Sequence, residues 1–482
     1  MPGFIGRYFA PRSMIVAIPE DPVAEVDSIL LALRPAASGE VLPLKLLGIV
    51  GGWIWAVLPD NAPIGPATIT LTTAGGSEQA DILVQPSAIG ILTLSQGGGR
   101  AKAQVSKADA GLVPITLSNP ARAGDVVTLW LTGLGSVAGN VSVDLAGKRI
   151  TPLFAGRAPG QLGVDQINFV VPPEAAFGCY VPLRVRAGTA VSDAVTIPTA
   201  STPGPCSHPL GLSADQLLLL DRGAPVLIGS FSLSTDTGDP ILQTESAASA
   251  RLIFHWELDA TLGPPLLAQG VTSCSPFVLG GAGVNISVLN SSRDAGGSVV
   301  LHGPAAASIT VPAIAEGYYD KALDPAALMP GLWTLAVPGG AGIAAFEASL
   351  SVPKPLRLLN PEALHAFSRD GDLEIDWAPD DFSSGDAVSA FLQTWSFQSP
   401  PFGADALGIS CIAPARDGRL VVPRELLALL PPDPSGDRGT IQLMVVPNQG
   451  APNVVAAPLV SGGTAPVVMG YASNQWLHVA IR

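Results

Sequence analysis

The sequence predicts an all-β chain built from tandem sandwiches, about four units in all. Three observations carry this. Short runs alternate apolar and polar residues with a period of two, as at 180–187, where Arg184 and Arg186 interleave with Val181, Leu183 and Val185; that is the pattern of a half-buried antiparallel strand. The chain of 482 residues holds 53 Gly and 46 Pro, yet 48% of it is hydrophobic and only 13% charged. Such a composition fits many buried strands punctuated by turns, and not a disordered chain. Third, one phrase of sequence occurs twice.

The repeated phrase is clearest at 161–198. Gln166-Ile167-Asn168-Phe169-Val170-Val171 stops at Pro172-Pro173, residues 180–187 follow, Ala187-Gly188 turns, and 194–197 closes the unit. Upstream, Trp53-Ile54-Trp55-Ala56-Val57-Leu58-Pro59 matches the first run, residues 65–71 match the second, and Gly75 matches Gly188. Pro59 to Pro172, Gly65 to Gly178 and Gly75 to Gly188 are all 113 apart; Ala10 to Ala121 is 111 and Pro43 to Pro152 is 109. A near-constant offset over a whole unit indicates duplication. Its length is that of an immunoglobulin-like sandwich, about 100 residues.

In chain order, the first unit (1–95) has strands expected at 9–18, 28–33, 41–47, 53–59 and 65–71. Residues 95–119, with Gly97-Gly98-Gly99, read as a long connection carrying one or two short strands at the start of the second unit (96–200). Residues 201–209 form a Pro/Ser-rich linker. Strand-like runs continue through a third unit (210–352), with Pro353-Lys354-Pro355 as boundary, and a fourth (353–482). Helix is expected only at 213–220 and 423–430, the latter with Pro at its start and Pro431-Pro432 at its end.

Charge and hydropathy narrow the partners. The net charge of −14 opposes a phosphate backbone, so nucleic-acid binding is not expected. Mean hydropathy is +0.41, but the longest apolar run, 46–58, is shorter than the roughly 20 residues of a spanning helix and contains three Gly. The chain is therefore not expected to span a membrane by helix. The opening residues MPGFIGRYFAPRSM lack the apolar stretch of a signal peptide. Four Cys suit one or two disulfides in an exported protein. Cys179 opens a strand and Cys206 follows the last strand of the unit, so these two are expected to pair; Cys274 and Cys411 are the remaining pair, in different units.

Chemistry-bearing motifs are sparse. The five His (His208, His255, His302, His365, His478) have no metal-ligand spacing, and no nucleophile elbow, Walker loop or dinucleotide fingerprint occurs. No cofactor is expected. Asp370, Asp372, Glu374 and Asp376 alternate along a run whose other residues are apolar. They read as a solvated strand face or a weak cation site, since carboxylates two apart on a strand lie about 6.5–7 Å from each other. Asp236 and Asp239 form a similar loop candidate. Trp53 and Trp55 share one strand face opposite Ile54. They either stack a ligand such as a sugar or pack against the next domain; Tyr318-Tyr319 and Trp395 with Phe397 pose the same alternative.

A family resemblance joins several of these segments. Residues 123–127 leading to Thr132-Gly133-Leu134-Gly135, then Leu153-Phe154-Ala155-Gly156, then 166–172, resemble the Solibacter-type C-terminal domain family of acidobacterial exported proteins, which is similar in fold to IPT/TIG immunoglobulin-like domains. The first unit resembles it less closely, with Trp53 and Trp55 where the pattern prefers Gln and Asn; Gly331-Leu332-Trp333-Thr334-Leu335, residues 339–342, 411–414 and 421–423 resemble segments downstream of that domain. The resemblance implies a fold and an exported protein, and brings no catalytic residues. The expected function is a non-catalytic extracellular or cell-surface protein for adhesion, surface assembly or ligand binding, with protein or glycan partners. The alternative is a secreted hydrolase with a loop-built site in the second half.

Overall fold

A computed structural model describes residues 3–4, 8–18, 29–50, 53–73, 75–95, 98–107, 111–135, 140–188, 190–192, 195–237, 246–257, 273–279, 293–380, 382–383, 385–397, 404–428, 430–446 and 453–482. The chain is all-β, with strand making up more than half of the described residues and helix few of them, and consists of tandem immunoglobulin-like sandwiches. It divides into two compact units, one ending at Ser207 and the other beginning at His208.

The first unit holds two sandwiches with the same strand order. In the first, one sheet runs Met14–Ile18, Trp53–Val57, Lys45–Val50; the facing sheet runs Tyr8–Phe9, Gly76–Val84, Gly65–Thr73, Leu30–Pro35, Leu42–Pro43. In the second, Val126–Thr132, Asp165–Val170, Phe154–Arg157 face Ala121–Arg122, Val195–Ala200, Gly178–Ala187, Val141–Leu145, Lys148–Ile150. Even the parallel pairing of the short entering strand on the last strand recurs, Tyr8 opposite Leu83 and Ala121 opposite Thr199. The alternation seen in the sequence is the burial pattern: along Gly178–Ala187 every second residue from Cys179 is buried. Each sandwich closes over its own core, around Ile15, Leu33, Ile54 and Ile69 in the first and Leu129, Val143, Phe169 and Leu183 in the second.

Residues 95–119 are more ordered than expected. Beside Thr93–Ser95 they supply Gly98–Ala101, Ala103–Lys107 and Gly111–Pro114, which extend both sheets of the second sandwich. The reason is length: at 3–5 residues each, these strands are too short for a periodicity to stand out from a Gly-rich stretch.

The second unit contains two further cores, but the boundary expected at Pro353 does not separate them. One core gathers Phe231, Leu252, Tyr319, Trp333 and Leu350 together with Ala457, Val467 and Met469 from near the C-terminus. The other gathers Ile375, Trp377, Leu392, Ile409 and Leu443, with Cys274 packed against it. The strand Thr464–His478 serves both. It runs parallel to Val226–Asp236 on one edge, and on the other edge it takes Asn453–Pro458 and then Gly439–Val446, both antiparallel. Likewise Ser273–Leu279, which falls in the expected third unit (210–352), pairs with Ala404–Pro414 of the expected fourth (353–482). Parallel pairing needs a long crossover that no local pattern announces.

Both expected helices form. Ala214–Asp221 begins at Ser213, whose Oγ accepts from Gln216 N while the Gln216 side chain accepts from Ser213 N, a capping box. Arg424–Leu427 starts just after Pro423. Among the described residues no helix is long and apolar enough to cross a membrane.

Preceding the first helix, His208 is buried, and its Nδ1 accepts the Leu210 N–H at 3.1 Å. Burial lowers its pKa from 6.5 to about 4. Above pH 6.5 both folded and unfolded forms are neutral at this site. Below it the unfolded chain takes up a proton that the folded chain refuses until about pH 4. Stability should thus fall by about 3 kcal/mol across that window from this group. Urea midpoints measured from pH 7 to pH 4 check this: His208→Asn, which keeps an acceptor for Leu210, should flatten the slope, and an unchanged slope would refute it.

Candidate functional site

Polar and aromatic side chains gather at four places: the tryptophan face, the acidic strand, the junction of the first two sandwiches and a cleft in the second unit. On the tryptophan face, Ile54 is fully buried in the core and Trp55 points the other way, half-buried, opposite Val16 and Gly48. The Trp55 Nε1 is buried with no hydrogen-bond partner. The side chains of Trp53, Trp395 and Phe397, and all of Asp239, lie outside the described residues. Tyr319 belongs to the core: its hydroxyl donates to Gly296 O at 2.7 Å and accepts from Ala295 N at 3.0 Å. Its neighbour Tyr318 lies under Arg251, whose guanidinium carbon is 5.8 Å from the ring centroid.

On the acidic run, only Glu374 and Asp376 lie on the strand Leu373–Asp376, alternating with buried Leu373 and Ile375. Asp376 pairs with Arg419 at 2.8 Å and Glu374 with the same guanidinium at 3.5 Å. Asp372 accepts the Arg424 N–H at 2.9 Å at the start of the short helix, and Asp370 is exposed in the preceding turn. The face belongs to Arg419, brought opposite by the pairing of Asp376 with Arg419 across the ladder. Among the described residues no group of three or more His, Cys, Asp or Glu could hold a metal ion.

The junction gives the Thr132-Gly133-Leu134-Gly135 motif its role. Thr132 Oγ1 accepts the Met14 N–H at 2.8 Å from the first sandwich and donates to Gly163 O at 2.7 Å in the second. Arg157 donates to Arg12 O and Pro11 O at 3.2 and 3.3 Å, and pairs with buried Asp165 at 2.9 Å. Burial raises the Asp165 pKa against the Leu134 N–H, the Arg157 charge and the Gly133 N–H, which lower it. The connecting segment crosses on top, with Ala88 N–H donating to Gly133 O at 2.9 Å and Ser87 Oγ to the same oxygen at 3.2 Å. Gly133 and Gly135 have φ of 81° and 64°, and a Cβ on either would strike the carbonyl of Ala88 or of Pro86. Gly133→Ala or Gly135→Ala should therefore cost about 1–3 kcal/mol and lift the connecting segment. Protease cleavage within 85–91 should rise in either variant; unchanged cleavage and stability would show that the segment adapts.

The cleft lies where Val226–Asp236 and Thr464–His478 run side by side, with Asp236 opposite Asn474. Asp236 Oδ2 accepts from Trp476 Nε1 at 3.2 Å and from Asn474 Nδ2 at 3.3 Å. The hydroxyls of Thr235 and Tyr471 are 3.1 Å apart. Pro325, Leu328, Pro330, Pro353 and Pro355 form the apolar part of the lining of a space of about 220 Å³, and Thr237, Ser246, Ser473 and Gln475 complete its polar part. Of these residues the sequence singled out only Asp236 as a candidate for chemistry, and Pro353 and Pro355 as a boundary; Asn474 has no local signal and arrives through the parallel pairing.

Both cysteine pairs are bridged. Cys179 joins Cys206, tying the segment after the last strand to the second sandwich, and Cys274 joins Cys411 across an antiparallel ladder.

No family model matches the chain, and no curated protein matches it. Solved structures do align. Domains 5–6 of the S-layer protein SbsC align at 11% identity with a TM-score of 0.22, covering 42% of this chain and 97% of that one. The SGBP-B protein of a Bacteroides ovatus mixed-linkage glucan utilization locus, in complex with a mixed-linkage heptasaccharide, aligns at 10% identity with a TM-score of 0.16, covering 86% and 92%. A tetra-tandem repeat from the extending region of a large adhesion protein aligns at 13% identity with a TM-score of 0.14, covering 98% of each chain. At this level of likeness no residue role or ligand passes from them to this chain.

Proposed function

We propose that the protein is a non-catalytic extracellular or cell-surface component whose tandem sandwiches serve adhesion, surface assembly or ligand binding. The observation that carries this reading is the bridging of both cysteine pairs on immunoglobulin-like sandwiches. Disulfides form and persist in oxidising compartments. The groups with displaced pKa support the same reading, because they hold the fold together. Asp165 sits in the sandwich junction, and Asp294 caps the backbone of Gly296 and Ala341. Asp433 is pulled up by burial, but the N–H groups of Arg438 and Gly439, the Ser435 hydroxyl and the Arg438 charge outweigh that and hold it low.

The partner is a protein or a glycan displayed at a surface. Binding of the purified full chain to a glycan array and to intact surface extract, with the retained component identified, tests the reading. If the tryptophan face is the contact, Trp53→Ala and Trp55→Ala should each weaken binding about tenfold or more. Turnover of a glycan, ester or peptide substrate that is abolished by substitution of one acidic residue would replace this reading with a hydrolase.

A further inference from the structure

A fifth gathering lies on the outward face of the second sandwich. Resting on the reading of a surface binding protein, we propose that this face, around Trp130, Gln166, Asn168 and Phe154, binds a saccharide. Gln166 and Asn168 belong to the repeated phrase, and the core does not use them: they alternate with buried Ile167 and Phe169 and point away. Strand pairing sets Thr128 and Trp130 beside them on one side, and Phe154 and Gly156 on the other. Gln104 extends the row opposite Thr128.

The amides are fixed, and each keeps one end open. Gln166 Nε2 donates to Asn168 Oδ1 at 2.8 Å, and Trp130 Nε1 donates to Gln104 Oε1 at 3.1 Å. What remains is Gln166 Oε1 as an acceptor, with Asn168 Nδ2 and Gln104 Nε2 as donors. None of these three atoms has a partner among the described residues, and none is buried. A hydroxyl both donates and accepts. Adjacent hydroxyls of one sugar ring can therefore donate to Gln166 Oε1 and accept from Asn168 Nδ2. Amides already held in orientation lose little freedom on binding.

Two aromatic rings frame the amides. Phe154 is 42% exposed. A Cβ on Gly156 would lie 3.4 Å from the tip of the Phe154 ring, so the ring leans along the sheet over Gly156, next to Gln166. Trp130 stands on the other side of Gln166, two strand spacings or about 9.5 Å from Gly156. Ring faces pack against the C–H faces of a sugar while the amides between them take its hydroxyls.

This order selects against a protein partner. Protein interfaces bury an apolar centre within a polar rim; here the amides are central and the rings flank them. Charge points the same way. The chain carries 39 Asp and Glu, yet the described outward positions of these strands hold no carboxylate. Lys102 alone brings a charge, at the margin beside Trp130. A face without carboxylates in an acidic chain complements a hydroxyl-rich ligand and gives a basic segment no counter-charge.

The test is titration calorimetry of the full, disulfide-bonded chain with cellohexaose, laminarihexaose, xylohexaose, mannohexaose and hexagalacturonate. At least one neutral hexaose should saturate a single site, with little change as salt rises. Phe154→Ala and Asn168→Ala should each weaken it about tenfold or more. Gly156→Val keeps every contacting group but crowds the Phe154 ring off the sheet, and should weaken binding as well. Thermal melting shows that the variants fold. The inference is overturned if no saccharide saturates, if the three variants bind like the parent, or if hexagalacturonate alone binds and salt abolishes it. Saccharide binding that is lost in Trp53→Ala or Trp55→Ala, and kept in Phe154→Ala and Asn168→Ala, would overturn this face while leaving a glycan-binding protein. Capture of a surface protein with no saccharide bound would overturn the face and leave the broader function standing; substrate turnover would sink that function itself.

Discussion

Replacing Cys274 and Cys411 together by alanine should lower the stability of the second unit by about 5 kcal/mol, the larger loss of the two bridges. The bridge spans 137 residues. In the chain-entropy model, opening a loop of that size releases about 5 kcal/mol of unfolded-state freedom, against about 3.5 for the 27-residue loop closed by Cys179 and Cys206. Position adds to length. Ser273–Leu279 is an edge strand at the end of its sheet, and Cys274 lies directly opposite Cys411 in the ladder to Ala404–Pro414. Without the bridge the strand is held by one ladder alone, and its release would bare an unpaired edge. Non-reducing urea unfolding of the double variant should show the midpoint fall, with more aggregation in the transition. A midpoint equal to that of the parent would mean that the ladder suffices.

Much of this architecture could be read from local pattern, and the failures share one cause. The repeated phrase located both early sandwiches, because Gln166, Asn168 and their neighbours alternate with core residues over a full strand. The expected pairing of Cys179 with Cys206 rested on their places in one unit, the first opening a strand and the second following the last strand. What escaped was set by partners far away in sequence. The junction motif was visible at 132–135, yet its strict need for glycine comes from the carbonyls of Pro86 and Ala88. The acidic run looked like a possible cation site until Arg419, 43 residues beyond Asp376, came opposite it. Asn474 meets Asp236 across 238 residues. Periodicity reports which face of a strand is buried, and says nothing about which strand lies alongside.

Trp377→Ala should cost about 3–5 kcal/mol, since a fully buried aromatic leaves a cavity that its neighbours only partly fill. Its Nε1 also donates to Ala415 O at 2.6 Å, and its N–H donates to Gly418 O at 2.9 Å. The ring therefore fixes the turn carrying Arg419 as well as filling the core. Trp377→Phe separates the two contributions: it keeps most of the packing, loses the Nε1 bond and should cost markedly less than alanine. The strand Thr464–His478 then makes a sharper demand. It supplies Val467 and Met469 to the core around Trp333, and pairs through its second half with Gly439–Val446 of the core around Trp377. Cores joined by one continuous strand should lose stability together, so hydrogen exchange in Trp377→Ala should quicken in Val226–Asp236 as well as in Gly439–Val446. Faster exchange in Gly439–Val446 alone would mean that the shared strand does not couple the two cores.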